Sequence, residues 1–286
     1  MRAFKSSKKA VALALALILA VGLLAGCASQ PSKPADNAPA SGQSGQQAQG
    51  DQSLQKVKDA GKIVFATDSL YPPMEYMDDK NENIIGFDMD LAAEIAKRLG
   101  VAFKAESVAW DGLLPGLQEG KYDAVISSMN VTDERKEKAN FVSYVSLDQV
   151  FVVRPDATPV TKLDELAGKV VAVQKGTTSE EMAQGIKGVK SITSLDAFDA
   201  TFIELRNKKA DVIVIDEPVG LYFVKKDPAT YKISGKAAQA MPVGIAIRKD
   251  AKALTDAVQK AVDDIKKDGT FKTISEKWFG VDLSNQ

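Results

Sequence analysis

The feature that most limits how this chain can fold is a short apolar segment ending in polar side chains, within residues 120–136. Residues 124–126 (Ala-Val-Ile) are rich in β-branched side chains and too few for a buried helix, so they predict a buried strand. Polar residues follow directly at positions 127–130. Ligands of open α/β sheets bind outside the carboxyl ends of the strands, so we expect Ser128 and Asn130 to lie at a site.

Arg135 follows this strand at the start of a predicted helix that Thr132 can cap. An arginine in the first helical turn opposes the helix dipole, which favours cations at the other end. It could be a surface arginine without a role. It could also be a guanidinium directed at a carboxylate, its preferred bidentate partner. Both interpretations stay open from this segment alone.

Composition excludes several classes of function. The chain has 286 residues, 45% apolar and 26% charged, enough for one large globular domain or two of ordinary size. A net charge of -1 gives no indication of nucleic-acid binding. There is no histidine, which excludes Ser-His-Asp and Cys-His catalysis and the usual zinc sites. The single cysteine, Cys27, excludes an intrachain disulfide.

The first 26 residues have the features of a signal peptide. A basic beginning is followed by an apolar run over about residues 10–25. A permanent membrane helix is the alternative, but the run is shorter than the roughly 20 residues that spanning requires. Residues 24–27 (Leu-Ala-Gly-Cys) resemble the bacterial lipobox, so we predict that Cys27 is acylated and becomes the new N-terminus. Several acyl chains would then anchor the protein to a membrane.

The segment after the cysteine predicts a flexible tether over residues 27–53. Ser, Gln, Pro, Gly and Ala dominate it, and it lacks large apolar residues with which to form a core. A lipid, a tether and a folded domain together predict a protein held at the outer face of a cell membrane. No second hydrophobic stretch of the sequence is long enough to cross it.

The remaining sequence predicts two α/β lobes. Strands at residues 63–66, 124–126, 170–173 and 212–215 alternate with predicted helices and end in polar side chains. The last of these echoes residues 124–126, because a lysine and an aspartate precede both. We therefore expect the strand ends of the two lobes to face one another.

Several strand-end residues have two interpretations. Asp68 is either a cap or a ligand contact, and Tyr71, beside two prolines that stiffen its loop, is either core or site. Thr177 and Thr178 either cap a helix only or mark free N–H groups that bind an anion. The sequence has no Walker loop, Gly-x-Gly-x-x-Gly, HExxH or calcium-loop spacing, so we predict no cofactor and no metal site.

The chain resembles the amino-acid-binding family of solute-binding proteins that serve bacterial ABC importers. The resemblance extends from about residue 62 to residue 280, and its motifs occur in order. They are Ala66-Thr67-Asp68, Tyr71-Pro72-Pro73-Met74-Glu75, Gly86-Phe87-Asp88-Met89-Asp90-Leu91, Trp110-Asp111-Gly112-Leu113, Gly120-Lys121-Tyr122-Asp123, Thr132-Asp133-Glu134-Arg135, Leu166-Ala167-Gly168-Lys169, Gly176-Thr177-Thr178 and residues 211–216.

The resemblance implies a two-lobed α/β fold of the periplasmic-binding-protein type (type II), which closes on its ligand about two hinge strands. Lobe one would comprise residues 54–147 and 244–286, and lobe two residues 148–243. Residues 141–144 (Phe-Val-Ser-Tyr) depart from the family's Phe-Ser-x-Pro-Tyr, at the entry to the first hinge.

The resemblance also implies a role for each site residue. Arg135 would bind the α-carboxylate of an amino acid, supported by the amides of Thr177 and Thr178. Tyr71 and Trp110 would stack on the side chain of the ligand. An ABC permease would be the partner of a monomeric protein.

At the other end of the ligand, Asp216 would bind the α-ammonium with help from Ser128 and Asn130, and Asp68 would meet the polar end of the side chain. In a count of formal charges, Arg135 would pair with the α-carboxylate of the ligand and Asp216 with its α-ammonium. Asp68 would then have no partner other than the ligand side chain. An unpaired buried carboxylate is costly, so the count favours arginine, then lysine, with glutamine as the main competitor.

Two other classes of function stay open. A few proteins that resemble this family are dehydratases of cyclic acids, which would need a cleft carboxylic acid such as Glu75 or Asp68 with a raised pKa. The intact Arg135–Asp216 pair favours binding without reaction. A sensor domain docking to a separate membrane receptor is the other alternative.

Overall fold

The computed structural model describes residues 50–285. The predicted signal peptide (residues 1–26), the predicted lipid attachment at Cys27 and most of the predicted tether therefore lie outside the described residues. Within the part of the chain that is described, no helix combines the length and apolar composition that a membrane crossing needs.

Helices and strands alternate along the described chain. The first part forms α1 (Ser53–Asp59), β1 (Lys62–Thr67), β2 (Leu70–Tyr71), β3 (Glu75–Met77), β4 (Ile84–Ile85), α2 (Phe87–Leu99), β5 (Ala102–Ser107), α3 (Leu113–Gln118), β6 (Ala124–Val125) and α4 (Asp133–Lys138). The second part forms β7 (Ala139–Val153), β8 (Val170–Gln174), α5 (Thr178–Gly185), β9 (Ser191–Leu195), α6 (Asp199–Arg206), β10 (Val212–Asp216), α7 (Glu217–Lys226), β11 (Lys232–Arg248), α8 (Lys252–Lys267) and α9 (Thr270–Phe279). The predicted α/β class is confirmed.

Eight strands form one sheet in the order β5-β1-β6-β11-β7-β10-β8-β9, and β2, β3 and β4 form a small second sheet. Strands β5, β1 and β6 are parallel and are called the first half. Strands β10, β8 and β9 are also parallel and are called the second half. Between the halves lie two long strands, β7 and β11, which pair with each other in antiparallel fashion and are called the crossing strands. The lobe boundaries predicted above stay predictions.

Helix α2 illustrates how local sequence builds the first half. Gly86 precedes it with a φ of 138°, and a Cβ there would lie 2.1 Å from the carbonyl oxygen of Met74, so only glycine fits. Gly100 ends the helix in the left-handed conformation. The helix buries apolar side chains such as Leu91 and Ile95 in the main core, where each contributes about 1.5–3 kcal/mol.

The carboxyl ends of four strands carry buried polar side chains. Asp68 follows β1, Ser127 and Ser128 follow β6, Gln174 ends β8 and Asp216 ends β10. Burying polar groups costs free energy unless they are hydrogen-bonded, so this concentration of polar groups indicates a functional site.

Candidate ligand-binding site

A cavity lies at these strand ends, where charged and polar side chains from both halves converge. All nine residues that the sequence predicted for the site line it. The lining residues are Asp68, Tyr71, Glu75, Trp110, Ser127, Ser128, Asn130, Arg135, Gln149, Gln174, Thr177, Thr178, Ser179, Phe198, Val214, Ile215 and Asp216.

Arg135 lies in the first turn of α4, where its N–H donates to the capping hydroxyl of Thr132 at 3.2 Å. Its side chain is buried, with 7% of its surface exposed. The guanidinium donates from Nη1 to the carbonyl of Asn130 at 2.9 Å and from Nη2 to that of Gly176 at 3.1 Å. Burial lowers its pKa, but an arginine stays charged. Among the described residues, its hydrogen-bond acceptors are neutral carbonyls, so this buried cation can accept an anionic ligand.

Trp110 and Arg135 both donate hydrogen bonds to the carbonyl oxygen of Gly176, in the turn after β8. The indole Nε1 of Trp110 donates to Gly176 at 3.2 Å, the same oxygen that Arg135 contacts. The guanidinium carbon also lies 5.3 Å from the centre of the tryptophan ring, within cation–π range. Trp110 is therefore engaged with Arg135 as well as lining the cavity.

Asp216 is the buried carboxylate across the cavity. It accepts hydrogen bonds from the hydroxyl of Tyr71 at 2.8 Å and from Nε2 of Gln149 at 3.4 Å. Burial raises the pKa of Asp216 to about 6, while Tyr71, Gln149 and the charge of Arg135 act to lower it. Its ionised form is therefore under-compensated in the ligand-free protein and would be stabilised by a cation such as an ammonium group.

Thr178 begins α5, and Thr177 caps that helix by accepting from the N–H of Glu180 at 3.3 Å. The hydroxyl of Thr178 donates to Oδ1 of Asn130 at 2.7 Å and accepts from Gln149 at 3.1 Å. Among the described residues, Nδ2 of Asn130 is a buried donor without a partner. Its role beside the ammonium stays a prediction, but a free donor favours an acceptor such as a carboxylate oxygen.

Asp68 faces the cavity after β1. Its carboxylate accepts from Nε2 of Gln174 at 2.8 Å, and its own N–H donates to Ser127 at 2.9 Å. Burial raises the pKa of Asp68, and the hydrogen bond from Gln174 lowers it only in part. The sequence-based charge count gave Asp68 no partner other than the ligand, and the structure adds Gln174 as a donor to it.

Eight lining residues were not assigned to ligand binding from the sequence: Glu75, Ser127, Gln149, Gln174, Ser179, Phe198, Val214 and Ile215. Gln174 ends a predicted strand, the same signal that singled out Asp68. Phe198 packs edge-on against Tyr71, with ring centres 4.8 Å apart. Gln149 lies inside β7, where no strand-end signal exists. Within residues 50–285, no group of three or more acidic, histidine or cysteine residues could hold a metal ion.

Comparison with protein families gives a match over residues 63–281 to the bacterial extracellular solute-binding proteins, family 3. The L-cystine-binding protein TcyJ of Escherichia coli K12 is 33% identical over 234 residues, covering 81% of this chain and 87% of that protein. The ABC transporter arginine-binding protein 1 of the same strain is 35% identical over 224 residues, covering 77% and 91%.

Solved structures agree with this match. An ancestral arginine-binding protein bound to arginine superposes with a TM-score of 0.74 at 38% identity, covering 77% of this chain and 99% of that one. The ancestral protein bound to glutamine gives 0.73 at 39%, covering 77% and 98%. The ancestral amino-acid-binding protein AncCDT-1, a precursor of cyclohexadienyl dehydratase, gives 0.73 at 35%, covering 79% and 99%.

Proposed function

Since this chain belongs to the bacterial extracellular solute-binding proteins of family 3, we propose that it captures a basic L-amino acid and delivers it to an ABC importer. Arginine is the first choice, lysine the second and glutamine the main competitor. The observation that carries this proposal is the pair of opposite charges in the cavity, a buried Arg135 held by carbonyls and a buried Asp216. Together they match the carboxylate and the ammonium of an α-amino acid.

The acidic character of the rest of the cavity supports a cationic side chain. Asp68 and Glu75 both line it, and burial raises the pKa of each. A guanidinium or ammonium would favour their ionised forms, whereas an acidic side chain would be repelled. The relatives named above bind arginine, glutamine or cystine, so all three ligands belong in the test.

We expect a calorimetric panel to give the tightest binding for arginine, measured against lysine, histidine, glutamine, glutamate, cystine and leucine. Asp68→Asn should then weaken arginine by roughly tenfold or more, because hydrogen bonds to charged groups contribute about 1.5–3 kcal/mol. Glutamine is the matched control ligand, since its neutral amide can also use an asparagine. Equal losses of affinity for both ligands would mean that Asp68 does not contact the charged end of the ligand side chain. Tightest binding of glutamate, leucine or cystine would contradict a basic ligand.

The second candidate function is a dehydratase-like enzyme. The observation in its favour is Glu75, a cavity carboxylic acid whose pKa lies well above its ordinary value because of burial. Incubation of the protein with each bound ligand, followed by NMR, distinguishes the two. Binding predicts recovery of the ligand unchanged, and any turnover would favour the enzyme.

We also propose the lipid anchor at Cys27, which would hold the protein at the extracytoplasmic face of the membrane, next to its permease. Cys27→Ser should leave the precursor unprocessed or release the protein from the membrane fraction, because a hydroxyl cannot be thioether-linked to the lipid. Fractionation and electrophoretic mobility check this result. A variant that fractionates and migrates like the parent would exclude Cys27 as the attachment site.

A further inference from the structure

Glu75 and Asp88 form a buried pair of carboxyl groups that the proposed amino-acid clamp does not use. Glu75 lines the cavity and is 1% exposed, and Asp88 is 0% exposed. Ser128 bridges them, donating from its N–H to Asp88 at 2.9 Å and from its hydroxyl to Glu75 at 3.4 Å. Hydroxyls of Ser127 and Tyr144 donate to Glu75 at 3.0 Å and to Asp88 at 2.8 Å.

Ser128 adopts a strained backbone conformation between the two carboxyl groups. Its φ of 45° is uncommon for any residue other than glycine. Such strain persists only where the surroundings hold it, and both polar groups of Ser128 are tied to the pair. The two carboxyl groups are therefore held beside each other by the fold.

Among the described residues, no cation forms an ion pair with these two carboxyl groups. Within residues 50–285, no lysine or arginine nitrogen lies within 4.0 Å of either carboxyl group. The titratable groups that face the pair are Asp68, Tyr71 and Tyr144, which are acidic or neutral. Burial and the charge of Asp88 raise the pKa of Glu75 well above its ordinary value, and burial raises that of Asp88 to about 6. Two ionised carboxylates sharing such a site repel each other strongly.

We propose that Glu75 and Asp88 share one proton in the ligand-free protein, and that the cationic side chain of a basic amino acid expels it on binding. The inference rests on the proposed function. The O–H bond of the protonated carboxyl breaks, the proton passes to a buffer base, and Glu75 pairs with the side chain as a carboxylate. The positive charge brought by the ligand replaces that of the lost proton. A neutral side chain brings no charge and leaves the proton in place.

Calorimetry in buffers of different ionisation enthalpy counts the protons released. At about pH 7, arginine should release roughly one proton more than its neutral isostere citrulline, with glutamine as a second neutral ligand. The comparison cancels any proton from Asp216, because all three ligands bring the same α-ammonium. In the wild type, arginine affinity should also rise with pH above pH 6 by up to about tenfold per pH unit more than the affinity of the neutral ligands, which share any contribution from Asp216.

Glu75→Gln tests whether Glu75 supplies the proton. The variant keeps the shape of the side chain but cannot release a proton. The difference in proton release between arginine and the neutral ligands should therefore vanish. Glu82→Gln, on the exposed turn between β3 and β4, is the matched control and should keep the difference. A difference that survives in Glu75→Gln comes from another group, such as Asp68, and would overturn the inference.

Asp88→Asn is the second variant if Glu75→Gln does not fold. Without the charge of Asp88, Glu75 ionises more readily, so the extra proton released by arginine should decrease. Arginine binding by the wild type with no more proton release than citrulline overturns this inference and leaves the proposed function intact. Failure of every basic amino acid to bind overturns both.

Discussion

Arg135→Ala should abolish measurable binding of every α-amino acid to this protein. Removing one partner of a buried ion pair costs roughly 3–5 kcal/mol, because the other charge is left without compensation. That free energy corresponds to about two to three and a half orders of magnitude in affinity. The loss should not depend on the ligand side chain, since Arg135 is proposed to bind the carboxylate that all α-amino acids share. Titration calorimetry with arginine, lysine and glutamine measures it.

The same substitution should change the thermal unfolding of the ligand-free protein little. The guanidinium is desolvated, and its contacts, two carbonyl oxygens and the Trp110 ring, compensate its burial only partly. Arg206→Ala is the matched control, because that arginine is exposed on α6 and should leave binding unchanged. Near-normal affinity in Arg135→Ala would remove Arg135 from the site.

Asp216→Asn should lower amino-acid affinity and stabilise the ligand-free protein. The affinity loss is expected because Asp216 is the proposed carboxylate partner of the ligand's ammonium, and removing it costs roughly 3–5 kcal/mol. The stability gain follows from the pKa of Asp216, which is 3.8 ordinarily and about 6 in the folded protein. Between these values the folded state binds more protons than the unfolded state, so the free energy of unfolding falls as the pH rises from about 4 to about 6.

At neutral pH the wild type therefore carries the full cost of ionising Asp216, on the order of 3 kcal/mol. Asparagine cannot ionise and avoids that cost, while its oxygen can still accept from Tyr71. Denaturant unfolding at several pH values should show the difference between variant and wild type growing up to about pH 6 and then levelling. Asp79→Asn, at an exposed turn position, is the control. A difference independent of pH would mean that Asp216 is not destabilised by its charge.

The strand ends were the part of the site that could be predicted from the sequence. Each of β1, β6 and β10 is a short apolar run followed by polar side chains, and the local pattern alone directs attention to Asp68, Ser128 and Asp216. The physical reason is general. Burying a polar side chain at the end of a strand costs free energy, so such side chains indicate a ligand or another polar partner there.

The contacts across the cavity could not be predicted in the same way. Gln149 lies within the continuous strand β7, and a glutamine in a strand more often faces solvent. It is buried against Thr178 and Asp216 only because β7 lies between β10 and β11 in the sheet. Likewise, Trp110 and Arg135 share Gly176 through contacts that join the first half to the second. Such pairings depend on the tertiary arrangement, which local patterns do not encode.

The strand order has a consequence for the order in which the two halves can fold during synthesis. The second half and its helices come from one continuous stretch, β8 to β10, whereas the first half is completed by the last helices of the chain, α8 and α9. Leu254 of α8 donates its N–H to Ser53 of α1, 201 residues earlier, and Arg98 of α2 pairs with Asp268. Contacts so distant in sequence form slowly, because a long loop must close first. During synthesis, the part of α2 that packs against α8 and α9 therefore stays uncovered until residues 252–279 have emerged, so the first half is completed only after the second half has been made.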